Sequence, residues 1–343
     1  GTYNTAVGWS ALSANTTANA NTAVGESALI NNTTGASNTA VGQSALNANT
    51  TGTPNVAVGF EAMKANTTGA SNVAVGYNAL TANTTAASNV AVGSSALAAN
   101  TTGTFNIGIG ASAVDGLTTG IQNIGIGGNV MGGAAITGNF NVAIGQNAMY
   151  LLTTGQYNVG IGVHALDAMT TASYNTAVGT HALGVNTTGA SNVAVGAYAL
   201  DANTTAANNA AFGYDALGAN TTGAGNTALG AYALDANTTA ANNVAVGYNA
   251  LTGNIEGADN VAVGYNALPV NTVAGSTGVG ANALNVNTTG ANNTAVGRNV
   301  MVSNTTGAEN VAVGSYALDA NTTSHSNTAI GHQSLGANTT GAD

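Results

Sequence analysis

The chain has 343 residues and no cysteine, and only 4% of its residues are charged, with two basic side chains, Lys64 and Arg298, against twelve acidic ones. This composition excludes a disulfide framework and thiolate metal sites, and a formal net charge of −10 without a basic patch argues against a nucleic-acid partner. No apolar run approaches the ~20 residues of a membrane-spanning helix, so we expect no membrane insertion.

A motif of 17 residues, NVAVGYNALTANTTAAS at 72–88, recurs from residue 4 to the last residue. Its 20 copies start at 4, 21, 38 and so on to 327, and only copies 123–140 with 18 residues and 260–275 with 16 depart from the period. A short fixed period predicts stacked repeats that contact only their neighbours. We therefore expect a single repeat array over 1–343, and we number the positions of each repeat from 1 to 17. The missing initiator Met and a last residue on a repeat boundary indicate a piece of a longer protein.

Positions 1–5 of each repeat predict a short strand that ends at a corner. Positions 2 and 4 are mostly Thr, Val or Ile around a position 3 that is always Ala or Gly, and such alternation is typical of a strand. The Gly at position 5, for example Gly76 and Gly196, predicts positive φ or close backbone approach. Position 1 is Asn in 19 copies and position 12 is Asn in 16, and each column predicts a ladder of stacked amides. Representative members of the position-1 ladder are Asn4, Asn21, Asn72 and Asn192.

Positions 8 and 9, which are Ala in 17 copies and always Leu, Met or Val, predict a second short strand before a polar corner, NTTGAS. Fixed glycines and the Thr/Asn-rich corner disfavour a helix. We therefore predict an all-β fold, a parallel β-solenoid or β-roll of 20 coils of about 17 residues with two short strands per coil. Positions 4, 9 and 2 would form a thin core, so we expect the Ala/Gly columns at positions 3 and 8 to pack against other copies in a lateral trimer, with an end-to-end filament as the alternative.

Residues 105–174 form a variant block of more apolar repeats. Position 12 loses its usual Asn there, and aromatic residues precede several repeats. The replacements at position 12 are Leu117, Ala134, Leu152 and Met169, and the aromatic residues are Phe105, Phe140, Tyr157 and Tyr174. At position 10 the acids never fall in two successive repeats, which indicates avoidance of stacked carboxylates.

The strand motif SNVAVG at 71–76 resembles the NSVAIG repeat of trimeric autotransporter adhesin heads. The whole repeat is more similar to the NTAVGxxALxxNTTG repeats of phage tail-fibre proteins and bacterial surface proteins, over residues 4–343. This resemblance implies a laterally trimeric β-roll and a location that is extracellular, on a cell surface or on a virion.

No nucleophile elbow, P-loop, zinc spacing or EF-hand loop occurs, so we expect no enzyme and predict no catalytic, cofactor or metal-binding residue. His164 and His181 share position 7 of successive repeats, but without a third ligand we interpret them as solvent-facing. The leading hypothesis is a structural fibre segment, the shaft of a filament, surface adhesin or viral tail fibre.

Aromatic residues at the variable positions 6 and 7 favour an alternative, a glycan-binding module, or else contact with another chain. The clearest column is Tyr198, Tyr214, Tyr232, Tyr248 and Tyr265. Asn-Thr-Thr occurs 14 times and matches the glycosylation sequon, although these residues also suit a hydrogen-bonded corner. Examples are Asn15, Asn83, Asn203 and Asn338. The paired threonines resemble those of ice-binding solenoids, a further alternative.

Overall fold

The structure, a computed structural model, describes residues 1–133 and 135–341. The chain forms two compact units, Gly1–Tyr174 and Asn175–Asp343, which we call the N-terminal and C-terminal units. Each unit is a stack of coils of about 17 residues, and within the described residues each coil contributes one strand of three residues. The predicted parallel β-solenoid is therefore confirmed in both units.

Ten strands build the N-terminal unit, and each pairs in parallel and in register with the next, so that Ala74 lies opposite Ala91. Like positions of successive repeats therefore stack along the unit at the ~4.8 Å spacing of a sheet. The strands are β1 (Thr5–Val7), β2 (Thr22–Val24), β3 (Thr39–Val41), β4 (Val56–Val58), β5 (Val73–Val75), β6 (Val90–Val92), β7 (Ile107–Ile109), β8 (Ile124–Ile126), β9 (Val142–Ile144) and β10 (Val159–Ile161).

Ten further strands build the C-terminal unit with the same parallel, in-register pairing, as between Ala194 and Ala211. The 16-residue repeat keeps this register, because Ala262 lies opposite Gly278. The strands are β11 (Thr176–Val178), β12 (Val193–Val195), β13 (Ala210–Phe212), β14 (Thr227–Leu229), β15 (Val244–Val246), β16 (Val261–Val263), β17 (Thr277–Val279), β18 (Thr294–Val296), β19 (Val311–Val313) and β20 (Thr328–Ile330).

The prediction of a second strand at positions 8 and 9 is wrong. These positions belong to a turn, and Leu80 at position 9 has φ 53°, in the left-handed region that a strand residue does not occupy. The turn is nevertheless bonded from coil to coil, since the Leu80 amide donates to the Ala96 carbonyl at 2.9 Å. The left-handed residue turns the chain and directs the leucine side chain inward, where it is fully buried.

The core also differs from the prediction. The alanines at positions 3 and 8, such as Ala74 and Ala79, are fully buried, whereas Val75 at position 4 keeps 37% of its surface exposed. The interior is narrow at position 3, where a Cβ added to Gly125 would come within 2.3 Å of a Val114 methyl group. Because strand residues alternate between faces, an inward position 3 directs positions 2 and 4 outward. The alanine columns are therefore no lateral packing surface, and that prediction is wrong.

The glycine at position 5 forms the predicted corner. Gly76 and Gly196 have φ 144° and 140°, and a Cβ added to either would lie 2.3 and 2.2 Å from the carbonyl oxygen of the stacked glycine in the next coil. Positive φ and close backbone approach thus act together, and each alone favours glycine.

Candidate functional site

A column of buried asparagine side chains at position 1 ties each coil to the next. Asn55 Oδ1 accepts a hydrogen bond from the Asn72 backbone amide at 3.0 Å, and Asn72 Nδ2 donates across its own coil to the Ala86 carbonyl at 2.8 Å. The same coil-to-coil bond is accepted by Asn4, Asn21 and Asn192. Each amide therefore both closes its coil and caps the neighbouring strand, as a buried amide must if its polar atoms are to be satisfied.

A second asparagine column, at position 12, runs beside the first. Asn83 Nδ2 donates to Asn66 Oδ1 at 2.8 Å and to the Ala86 carbonyl at 3.2 Å. The Ala86 carbonyl thus accepts hydrogen bonds from both columns, from Asn83 and from Asn72. Together the two columns form a polar spine inside an otherwise apolar interior, whereas the sequence pattern predicted two separate ladders.

The variant block interrupts this spine. Leu117, Leu152 and Met169 are fully buried where asparagine stands elsewhere, and Ile136 forms a parallel bridge with Leu117. Ala134, predicted at this position, lies outside the described residues. Asn100 is the last asparagine of the position-12 column before the block. Its Oδ1 is buried without a hydrogen-bond partner, because Leu117 in the next coil has no side-chain amide to donate. Burying such an acceptor unpaired costs about 1–3 kcal/mol.

The sequon asparagines at position 12 are part of this spine. Asn83 and Asn203 are fully buried, and their Nδ2 atoms, to which a glycan would be attached, donate to Asn66 and Asn186. A folded coil therefore leaves no room for a glycan at these two residues. Asn15 and Asn338 are partly exposed and donate to the Ala18 and Gly341 carbonyls.

The two threonines of the corner have different surroundings. At position 13, the Thr84 hydroxyl donates to the Thr101 carbonyl in the next coil at 3.2 Å and so extends the internal ladder. At position 14, Thr85 is exposed. The position-13 threonine is half-buried and hydrogen-bonded in this corner, whereas the position-14 threonine is exposed. The two rows therefore differ in their surroundings and lie in a turn, which weakens the comparison with ice-binding solenoids, whose faces need regular threonines on a flat strand.

The five tyrosines singled out from the sequence do form a continuous column on the C-terminal unit. Successive ring centroids are 5.4 to 6.0 Å apart, from Tyr198 through Tyr214, Tyr232 and Tyr248 to Tyr265. The first three contacts are edge-to-face and the last is stacked, so the first four rings do not all cover one another's faces. An aromatic face that is not covered by a neighbouring ring can stack on a sugar.

Three successive coils that carry the tyrosine column also carry one carboxylate each, those of Asp201, Asp215 and Asp235. Burial raises the pKa of Asp215, and repulsion by Asp235 and Asp201 raises it further. Burial likewise raises the pKa of Asp201, which His181 partly offsets. The position-10 acids are indeed separated, but Asp215 at position 7 lies between two of them. Acids within position 10 alone avoid one another, so the repulsion among Asp201, Asp215 and Asp235 becomes visible only when positions 7 and 10 of successive coils are considered together.

His164 Nδ1 lies 2.9 Å from Asp167 Oδ2, and the His181 ring stacks on Tyr198 with a centroid separation of 5.6 Å. Within the described residues, no group of three or more His, Cys, Asp or Glu side chains could hold a metal ion. In the part of the chain that the structure describes, no helix is long and apolar enough to cross a membrane.

Comparison with protein-family models finds no matching family, and comparison with curated proteins finds no matching relative. The resemblance to tail-fibre and surface-protein repeats therefore stays a prediction from the sequence motif.

Proposed function

We propose that the chain is a non-catalytic structural segment of an extracellular fibre, the shaft of a filament, a surface adhesin or a viral tail fibre. The observation that carries this proposal is the joined asparagine spine. It binds every regular coil to the next through side chains, as at Asn72 and Asn83, in addition to the backbone ladder. Two buried ladders that run along the stacking direction suit a part that transmits force along its axis.

Self-association belongs to the same proposal. The predicted lateral trimer assigned its contacts to the alanine columns, which lie inside the coils, so a lateral contact must use outward-facing residues instead. End-to-end stacking remains the alternative, because a terminal coil presents unpaired strand edges.

Labelling of intact source particles or cells tests the proposed function. Antibodies raised against the purified chain, detected with gold particles by electron microscopy, should decorate an extracellular fibre along its length. The same antibodies, preadsorbed with the purified chain, serve as the control. Labelling confined to the cell interior, or to the fibre tip alone, would contradict a shaft.

The tyrosine column supports a second candidate function, a glycan-binding module. Its test is a glycan array with the chain carrying Tyr214→Ala, Tyr232→Ala, Tyr248→Ala and Tyr265→Ala together. A binding module should lose its signal in this variant and keep it when Tyr77, an exposed tyrosine of the N-terminal unit, is replaced by Ala. The absence of any glycan signal for the original chain would reject this candidate and favour contact between chains.

A further inference from the structure

The outward face of strands β4–β10 in the N-terminal unit is entirely apolar. Every residue at positions 2 and 4 of these seven strands is Val or Ile, whereas Thr occupies position 2 in β1–β3 and interrupts the same rows in the C-terminal unit. We call these outward Val and Ile side chains the apolar strip. In the same unit, the ring of Tyr157 stacks on those of Phe140 and Tyr174, with centroid separations of 4.8 and 5.2 Å.

The strip leaves an unusual amount of apolar surface in water. Val75, Ile109 and Ile161 keep 37%, 38% and 37% of their surfaces exposed, and Phe105 and Tyr174 keep 60% and 63%. The fourteen Val and Ile side chains of the strip alone expose on the order of 700 Å², above the 300–600 Å² of the largest patch on a typical monomer and close to what each partner buries in a stable complex. Parallel sheets, moreover, normally have both faces covered.

We propose that the apolar strip packs face to face against the apolar strip of a second copy of this chain, in a two-fold pair. The partner must repeat at the coil spacing of ~4.8 Å to match side chain with side chain over seven strands, and another copy does so without any adjustment. No charged residue occupies positions 2 or 4 of β4–β10, so nothing in the strip selects a charged partner. The strip of the N-terminal unit gives each copy one surface for a sheet-on-sheet contact, and such a contact closes as an isologous pair.

This pairing rests on the proposed shaft function and adds to it the partner and the contact surface. It replaces the alanine columns as the lateral surface. Association would remove from water the outward Val and Ile side chains of the strip, and burial of apolar surface is the main favourable contribution to association.

Sedimentation equilibrium of the full chain at about 1–50 µM, the range in which an interface of this size is populated, tests the pairing. The original chain should sediment as a dimer, and the variant Ile109→Lys with Ile126→Lys should weaken dimerisation at least ~100-fold, because two charges from each copy would be buried unpaired. The matched control, Val296→Lys with Val313→Lys, changes the same repeat position in β18 and β19. These two valines keep 36% and 37% of their surfaces exposed, respectively. This control should remain a dimer.

A monomeric or trimeric original chain would overturn the pairing, as would a dimer that survives Ile109→Lys with Ile126→Lys or that is lost in the control. Thermal unfolding followed by circular dichroism separates dissociation from misfolding, since both variants change outward residues and should fold. A monomeric original chain would leave the shaft function standing, because antibody labelling tests that function independently.

Discussion

At the scale of single residues, asparagine suits the spine because one short side chain carries a donor and an acceptor that point to different coils. Asn83 donates to Asn66 Oδ1 at 2.8 Å and accepts from Asn100 Nδ2 at 3.2 Å. Aspartate would lack the donor, and alanine would lack both groups. The repeat can therefore tolerate another residue at position 12 only where the neighbouring coils also change, as they do in the variant block.

Asn83→Ala should lower the free energy of unfolding of the N-terminal unit by about 1–3 kcal/mol, because it leaves Asn66 Oδ1 buried without its donor. Thr85→Ala, in the same corner but exposed, should change it by less than about 0.5 kcal/mol. Urea unfolding followed by circular dichroism measures both. Equal effects of the two substitutions would show that the spine contributes nothing particular to stability.

Asp215 predicts a dependence of stability on pH. Its pKa is raised in the folded chain, so its contribution favours folding below the ordinary value of 3.8 and is lost as the pH rises through the raised pKa. Asp215→Asn, which suits the left-handed backbone there, should raise the unfolding temperature at pH 7 by on the order of 1 °C, a small shift because solvent screens the repulsion, and should leave it unchanged near pH 3.

Asp319→Asn is the control for that experiment, because no acid occupies positions 7 or 10 of the neighbouring repeats. It should not raise the unfolding temperature at pH 7. A lower unfolding temperature for Asp215→Asn at neutral pH would mean that the carboxylate makes a favourable contact that outweighs repulsion by Asp201 and Asp235.

At the scale of the coil elements, the corner glycine leaves less space for a side chain than the turn residue that follows it. Gly127 has φ 140°, and a Cβ added there would lie 2.7 Å from the Gly145 carbonyl oxygen. Gly128, the next residue, has no heavy atom within 4 Å of an added Cβ. A side chain would therefore clash at Gly127 but not at Gly128, although the two glycines are adjacent in one coil.

Gly127→Ala should consequently destabilise the N-terminal unit by several kcal/mol, since the strained φ and the clash with backbone act together. Gly128→Ala should be neutral or slightly stabilising through the unfolded chain. Thermal unfolding of the two variants, side by side, measures the difference. Similar unfolding temperatures would show that the corner is wrongly placed in this coil.

The period, the strand at positions 2–4 and the glycine corner could be predicted from the sequence because each follows from local residue chemistry. The direction of the strand faces could not. Alternation says that Ala74 faces opposite to Val73 and Val75, but not which side is inside, and hydrophobicity favoured the wrong side. The space across the coil, which only the folded turn defines, decides in favour of alanine. The left-handed conformation of the leucine at position 9 could not be predicted either, because leucine rarely adopts positive φ.

At the scale of the whole molecule, the charge distribution opposes association while the apolar strip favours it. The chain carries a formal net charge of −10, and two copies repel at low ionic strength. Raising the NaCl concentration from about 20 to about 500 mM should therefore strengthen the pair several-fold, because salt screens the repulsion. Sedimentation at both concentrations measures this, and weakening by salt would indicate ion pairs in place of the strip.

The apolar strip and the burial of the alanine columns both depend on which side of the strand faces water, and cysteine labelling measures that directly. The chain has no native cysteine, so Ala312→Cys and Val313→Cys each introduce a single thiol in β19, outside the apolar strip. Ala312 is fully buried and Val313 is 37% exposed. Under native conditions the thiol at position 313 should react with a maleimide on the order of 100-fold faster than the one at 312, which requires local opening. Equal rates, or faster labelling at 312, would contradict the inward alanine and the outward valine.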